Sequence, residues 1–212
     1  MRTALIPIVT LSALITADAA RADPDAAGRR DAQALASRAV ACLTRGEDAT
    51  DAAAKRAAYD EGLALAERAV ALDDGNADAH FAIFGTRGRL LLLDGAVPNP
   101  INLMSVNREL DRALDLEPDH AAALAAKGGL YRQLPWVLGG DLALAENCLT
   151  RAIAIDPNAV AARIELAATY RDMGHPERSR PLLETALAIA ERDGKRRQRG
   201  EAEALMRELP AR

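Results

Sequence analysis

A set of small and apolar residues that recurs after 34 residues is the feature that most constrains the fold of this 212-residue chain. The set occurs twice in the second half of the sequence, as Ala145, Leu149 and Ala152 and again as Ser179, Leu183 and Ala186. A period of this length is typical of a two-helix unit that stacks on copies of itself. The sequence therefore predicts a helical-repeat protein.

Two earlier copies of the set are displaced by insertions. The copy at Leu110, Ala113 and Pro118 precedes Leu149, Ala152 and Pro157 by 39 residues, and the copy at Ala66, Ala69 and Asp74 lies 44 residues before that. A 34-residue repeat with insertions of five and of nine or ten residues accounts for both distances. We place the insertions at 134–140 and 95–100, each between the two helices of a unit. Small residues let paired helices approach closely, and the proline ends the helix.

Composition supports an all-helical fold. Ala and Leu supply more than a third of the residues and only six residues are aromatic, a bias that favours helices over sheets. The predicted helices are 29–45, 51–73, 77–94, 102–117, 120–134, 141–156, 158–173 and 176–190, with a capping helix at 198–209. Asp141, Gly174 and Pro176 suit a helix N-cap, a C′ position and a first helical turn. Stacked helix pairs share one core, so a single domain is predicted over 23–212.

These residues resemble the tetratricopeptide repeat (TPR), and the resemblance covers nearly all of residues 23–212. It implies an all-α fold: a right-handed α-solenoid of about four helix pairs plus a C-terminal capping helix, with a concave groove that binds a protein or peptide. The segments 59–70, 79–81 and 134–141 are also similar to the TPR proteins that accompany bacterial TRAP transporters. That similarity implies an alternative role, as a periplasmic accessory component of a solute-uptake system partnered by a solute-binding protein.

The first 22 residues have the pattern of a secretory signal peptide. Arg2 gives a positive start, an apolar run follows over 4–15, and Ala20 and Ala22 form a small-x-small cleavage site before Asp23. The apolar run is too short to span roughly 30 Å of hydrocarbon comfortably. We therefore expect an exported protein, periplasmic or secreted, with no stable membrane span after cleavage. A retained N-terminal anchor is the alternative.

The sequence offers little that could support catalysis, metal binding or a cofactor. His80, His120 and His175 lack the spacing of metal ligands, and no nucleotide-binding or serine-hydrolase motif is present. Cys42 and Cys148 fall in the first and third repeats, which do not touch in a solenoid, so free buried thiols are expected rather than a disulfide. We therefore expect a non-enzymatic protein without a metal or cofactor. An enzyme of unknown class is the remaining alternative.

Charge disfavours nucleic-acid partners. The formal net charge is −4, which gives no general attraction to a phosphate backbone. The one dense basic run, residues 195–199, has no aromatic residue nearby for base stacking. It is expected to be the solvated start of the capping helix, with an acidic protein partner as the alternative.

Arginine recurs at one position of the predicted concave face. Arg89, Arg132 and Arg171 stand in three successive units, separated by the repeat length plus the insertions, with small residues such as Thr86 on the same face. The planar guanidinium group suits bidentate binding of carboxylates. The arginines are therefore candidates for binding an acidic peptide or another extended acidic ligand. The alternative is that their charges are solvated or paired within the molecule.

Two further candidate ligand contacts, Gln133 and Trp136, lie at the second insertion. One interpretation of Trp136 is a hydrophobic clasp that packs the inserted residues onto the next helix, and the other is a ligand contact. The apolar run 90–93 is expected to pack as core beneath the first insertion, and any exposed part of it would be an interaction patch. The function that the sequence favours is an exported, non-enzymatic TPR scaffold that binds a protein, a peptide or an extended acidic ligand.

Overall fold

The structure, a computed structural model, describes residues 25–95 and 100–210. Within these ranges the chain forms nine α-helices, one turn of 3-10 helix at Trp136–Leu138, and no strand. The α-helices are α1 (Ala26–Asp48), α2 (Ala52–Leu72), α3 (Ala77–Leu93), α4 (Pro100–Leu116), α5 (Ala121–Gln133), α6 (Leu142–Ile155), α7 (Val160–Asp172), α8 (Pro176–Arg192) and α9 (Arg196–Glu208). Every predicted helix is present, and each predicted bound lies within three residues of the observed one.

The helices pack as the repeat predicts. Each first helix contacts the second helix of its pair: α1 with α2, α3 with α4, α5 with α6, and α7 with α8. First helices also pack against each other in two of the three successive positions, α1 with α3 and α5 with α7, and α9 packs on α7 and α8. The predicted all-α solenoid of four helix pairs and a capping helix is therefore confirmed.

The residues that revealed the period form the contacts between helices. The larger members Leu110, Leu149 and Leu183 and the small members Ala113, Ala152 and Ala186 are all fully buried. Gly128 on α5 packs against this set on α6, at a position where no side chain fits. A Cβ atom on this glycine would lie 2.5 Å from Leu149 Cγ and 3.2 Å from the carbonyl oxygen of Ala145. Any side chain at this position would push α5 and α6 apart.

The predicted helix ends have the expected chemistry. The Asp141 carboxylate accepts hydrogen bonds from the backbone N–H groups of Ala143 and Leu144, at 2.8 and 3.0 Å. Gly174 takes a φ of +82° just after α7, and Pro176 is the first residue of α8. Asp141 thus satisfies N–H groups at the start of α6, Gly174 takes the left-handed conformation that ends α7, and Pro176 lacks an N–H where none would have an intrahelical partner.

The second insertion is a self-contained turn, and the clasp interpretation of Trp136 is wrong. Leu138 N–H donates to the Pro135 carbonyl at 2.9 Å, and Asp141 N–H donates to the Tyr131 carbonyl at 2.9 Å. These backbone hydrogen bonds close the turn without any contribution from the indole. Trp136 is 84% exposed.

The remaining sequence expectations are tested only in part by the structure. Residues 1–22 and 96–99 lie outside the described residues, so the signal peptide and most of the first insertion stay predictions. In the run 90–93, Leu92 is 60% exposed, so this run is only partly packed. None of the helices within the described ranges is long and apolar enough to cross a membrane.

Candidate functional site

The three predicted arginines each lie near the C-terminal end of a first helix, and each pairs with a carboxylate from a neighbouring first helix or from α9. Arg89 Nη2 donates to Glu47 Oε1 on α1 at 2.5 Å. Arg132 Nε donates to Glu165 Oε2 on α7 at 2.9 Å. The same relationship holds for Arg171 on α7, which pairs with Glu208 on α9. The alternative that these charges pair within the molecule is therefore the arrangement observed, and it links adjacent first helices.

Two of the arginines meet at one carboxylate. Asp172 accepts from Arg132 Nη1 at 3.2 Å through one oxygen and from Arg171 Nη2 at 2.9 Å through the other. Arg132 and Arg171 therefore lie on the same face of the solenoid. Arg89 is not connected directly to Arg132, but its partner Glu47 joins it to the capping helix, as described below. We call Arg89, Arg132 and Arg171 the arginine ladder.

The members of the arginine ladder differ in accessibility. The side chain of Arg132 is 17% exposed, whereas those of Arg171 and Arg89 are 34% and 46% exposed. Burial by itself would lower the pKa of Arg132, but hydrogen bonds and charges from Glu165 and Asp172 outweigh it and raise that pKa. Arg132 is thus a fixed cation held by two acids. Arg89 and Arg171 are held by exposed contacts and remain open to solvent.

Arg197, at the start of α9, extends the network to the first helix. Its Nη2 donates to Glu47 Oε2 at 2.9 Å and its Nε to Asp48 Oδ1 at 3.3 Å. Glu47 is therefore shared between Arg197 and Arg89. The sequence interpretation of run 195–199 as a solvated helix start missed this role, because nothing local indicates a pairing that spans 150 residues.

A second polar network joins the N-terminal ends of the first three first helices. Asp78 on α3 accepts from Gln33 Nε2 on α1 at 2.8 Å and contacts His120 Nε2 at 3.0 Å. His120 Nδ1 accepts from the backbone N–H of Ala123 at 3.1 Å and so caps α5, which makes Nε2 the donor to Asp78. The hydrogen bond from His120 holds the pKa of Asp78 below its usual range, against the effect of burial. This network is a connection between units.

The other predicted contacts lie apart from one another. Thr86 is fully buried, and its hydroxyl donates to the Ala82 carbonyl at 2.6 Å. Its methyl group faces Gly62 on α2, where a Cβ atom would lie only 2.9 Å away. Thr86 therefore packs between helices and does not line the open face. Gln133 is exposed beside Arg132, and Trp136 is exposed on the adjoining turn.

The nucleophilic and metal-ligating side chains of the described residues do not converge. Cys42 and Cys148 are free thiols, buried and half-buried, and burial raises the pKa of both. Protonated thiols are poor nucleophiles. Within residues 25–95 and 100–210 there is no group of three or more His, Cys, Asp or Glu that could hold a metal ion.

Comparison with known proteins finds a family similarity for the C-terminal part of the chain. Residues 138–209 match the family model described as "Tetratricopeptide repeat", whereas no curated protein matches the sequence. Among solved structures, a crystal structure of MamA is 17% identical, with a TM-score of 0.45, and the match covers 82% of this chain and 98% of that one. The thermophilic TPR protein TTC0263 of Thermus thermophilus is 20% identical, with a TM-score of 0.47 and coverage of 72% and 82%.

A third solved structure is that of YrrB, described as a TPR protein with an unusual peptide-binding site. It is 18% identical, with a TM-score of 0.35, and the match covers 62% of this chain and 77% of that one. The family match begins in the turn before α6 and runs through α9. This chain is thus a helical-repeat protein whose residues 138–209 match the tetratricopeptide-repeat family model.

Proposed function

We propose that this protein is an exported, non-enzymatic scaffold that binds an extended acidic protein segment along the face shared by its first helices. The arginine ladder is the observation that carries the proposal. It places a guanidinium group on each of α3, α5 and α7, and two of these groups meet at a single carboxylate. Repeat proteins use such continuous faces to bind extended chains.

The spacing of the ladder sets the pattern of the ligand. Packed helices lie roughly 8–10 Å apart, and an extended chain advances about 3.3–3.6 Å per residue. Carboxylates at every third residue of the ligand therefore match the spacing of packed first helices such as α5 and α7. A ligand with that pattern could reach both Arg89 on α3 and Arg171 on α7, whereas a single small carboxylate could not span the distance from α3 to α7.

The internal pairs do not prevent binding, because exposed ion pairs are weak. The Arg89 and Arg171 side chains are 46% and 34% exposed, and ion pairs of solvent-exposed side chains contribute only about 0–1 kcal/mol. A ligand carboxylate can replace Glu47 or Glu208 at little cost, and neighbouring backbone and side-chain contacts then add to its affinity. Arg132 keeps both of its acids and holds α5 and α7 together. We therefore assign exchangeable binding to Arg89 and Arg171 and a positioning role to Arg132.

Export is part of the proposal and rests on residues 1–22. The intact mass of the protein recovered from the envelope or medium of a producing bacterium tests it. A mass corresponding to a start at Asp23 supports export through a cleaved signal peptide. A mature protein that keeps residues 1–22 would contradict it and would support the anchor alternative.

The scaffold is favoured over the transport-accessory alternative by the position of Trp136. An apolar ligand cavity at this corner is what a solute-handling role calls for, because small ligands bind in concave, largely apolar sites. The indole is instead 84% exposed on the outside of the turn. Such a residue suits a contact with a protein surface.

Hydrogen–deuterium exchange tests where the ligand binds. The probe is a soluble decapeptide with Glu at every third position and Ala or Ser elsewhere, and the control is the same peptide with Gln in place of Glu. We expect the Glu peptide to slow amide exchange in the C-terminal halves of α3, α5 and α7, and the Gln peptide to have little effect. Equal protection by both peptides, or protection confined to the second helices, would contradict the proposal.

A further inference from the structure

A cavity of about 280 Å³ lies where the capping helix meets the first three helices. It is lined from α1 by Glu47, from α2 by Lys55 and Tyr59, from α3 by Arg89, Leu92 and Leu93, and from α9 by Arg197 and Glu201. The hydrogen bond from Arg197 to Glu47 joins α9 to α1 at this cavity. It shares Arg89 with the arginine ladder but is otherwise formed by different residues.

The charges around the cavity leave one cation without a partner among the described residues. Glu47 is paired with both Arg89 and Arg197, at 2.5 and 2.9 Å, and Glu201 is paired with Arg197 at 2.6 Å. The side chain of Lys55 has no ion pair or hydrogen bond with any described residue. The lining therefore carries three cations and two anions, a net charge of +1. A site with this balance suits a monoanion.

The cavity also contains a phenol hydroxyl without a partner in the described part of the chain. Tyr59 is only 3% exposed, and its ring packs so closely on Gly46 that a Cβ atom there would lie 2.3 Å from Tyr59 Cε1. The ring is fixed by this contact. No described residue hydrogen bonds to the hydroxyl, so it is available to donate to a ligand in the cavity.

The walls provide an apolar surface next to these polar groups. Leu92 and Leu93 end α3 and line the cavity opposite α9, and Leu92 is 60% exposed. An exposed leucine at the mouth of a polar cavity offers a place for a short hydrocarbon group to bury apolar surface. The cavity therefore combines the Lys55 cation, the Tyr59 hydroxyl donor and an apolar wall.

We propose that this cavity binds a monocarboxylate that carries a short apolar group. The carboxylate pairs with Lys55 and accepts a hydrogen bond from the Tyr59 hydroxyl, and the apolar group lies on Leu92 and Leu93. Two sources share this chemistry: a free small acid, and the C-terminal residue of a polypeptide. The ligand of this cavity differs from the ladder ligand, since the cavity needs a single carboxylate and not an extended acidic chain.

Calorimetric titration of the purified chain tests the proposal with named probes. Butyrate represents the free acid, and a tetrapeptide ending in Leu with a free C-terminal carboxylate represents the chain end. Butyramide and the C-terminally amidated tetrapeptide are the matched neutral controls. We expect at least one carboxylate probe to bind and to lose about tenfold or more in affinity when its charge is removed. Binding by butyrate alone indicates a free acid, and tighter binding by the peptide indicates a chain end.

Variants locate the binding site. Tyr59→Phe keeps the ring against Gly46 and removes only the hydroxyl, and Lys55→Gln removes the free charge; each is expected to weaken binding by about tenfold. Arg68→Gln is the control, because Arg68 is an exposed cation on the same helix and does not line the cavity. Circular dichroism confirms that each variant is folded. The proposal is overturned if neither carboxylate probe binds, if the neutral probes bind equally well, or if Arg68→Gln weakens binding as much as Lys55→Gln.

Discussion

Arg197 on the last helix donates from Nη2 to Glu47 Oε2 on the first helix across 2.9 Å, although 150 residues separate them in the chain. In an ideal solenoid each unit contacts only its neighbours. Here the capping helix α9 also contacts α1, so the last described helix is joined to the first. This contact forms the cavity at α1, α2, α3 and α9 and links that cavity to the arginine ladder through Glu47.

Removal of the Arg197 charge should weaken the contact between α9 and α1. Arg197 is 29% exposed and pairs with three carboxylates, so Arg197→Gln should destabilise the protein by about 1–2 kcal/mol. Hydrogen exchange should accelerate at the C-terminal end of α1. Arg199→Gln is the control, since Arg199 is half exposed and pairs only within α9. Unchanged exchange in α1 in a folded Arg197→Gln variant would show that the contact does not hold the ends together.

The repeat register predicts which alanines tolerate a large side chain. Ala113 and Ala152 are fully buried between helices, so Ala→Arg at either position should cost about 3 kcal/mol or more through overpacking and a buried charge. Thr150 is exposed on α6, and Thr150→Arg should be nearly neutral. Thermal and urea unfolding measure the three effects. Equivalent losses of stability in all three variants would contradict the register.

The fold was predictable because its determinants repeat along the sequence. Leu149 and Ala152 occupy the same packing positions as Leu183 and Ala186, so one alignment predicted the helices and their pairing. The turn at 134–140 was predicted only in position. The exposure of Trp136 depends on backbone hydrogen bonds within the turn, and residue type alone does not reveal them.

The sole tryptophan provides a direct readout of that turn. Because Trp136 is 84% exposed, its fluorescence should resemble that of indole in water, with emission at long wavelength and efficient quenching by iodide. Trp136→Ala should leave the melting temperature nearly unchanged, since surface substitutions away from packing contacts are usually within about 0.5 kcal/mol. Blue-shifted emission that iodide does not quench would show that the indole is packed, as the clasp interpretation required.

Acidification should weaken the network around Asp78. The folded-state pKa of Asp78 is lowered, first by its hydrogen bond with His120, so its carboxylate adds stability above its unfolded pKa of about 4. That stability is lost as the pH falls through the lower, folded-state pKa. Asp78→Asn should therefore be less stable than the wild type at neutral pH, and its stability should fall less below about pH 4.

A matched variant isolates this effect. Asp60→Asn removes an exposed carboxylate from α2 that makes no hydrogen bond or ion pair with a described residue. Its urea midpoint should follow that of the wild type across the acid range. If Asp78→Asn also follows the wild type at every pH, the His120 contact makes no contribution to stability.

The candidate site was predicted in part. The repeat placed Arg89, Arg132 and Arg171 at equivalent positions, and the structure puts the last two on a common carboxylate. The sequence could not show that Arg197 shares Glu47 with Arg89. That contact depends on how the insertions and the stacking of all four helix pairs bring the two ends together, and no local pattern encodes it.

Affinity for an acidic peptide tests the central claim, that the arginine ladder binds an extended acidic ligand. The measurement is fluorescence anisotropy with the labelled decapeptide that has Glu at every third position. Its control is the triple variant of exposed arginines on second helices: Arg68→Gln, Arg108→Gln and Arg151→Gln.

We expect the wild type and this control variant to bind the peptide, with affinities that fall as salt is added. The double variant Arg89→Gln/Arg171→Gln should bind the peptide about tenfold or more weakly than the wild type. Adding Arg132→Gln to the double variant should not restore binding. Circular dichroism should show that the double variant and this Arg89/Arg132/Arg171 variant are both helical. Equal affinity of the wild type and the folded double variant would contradict the account.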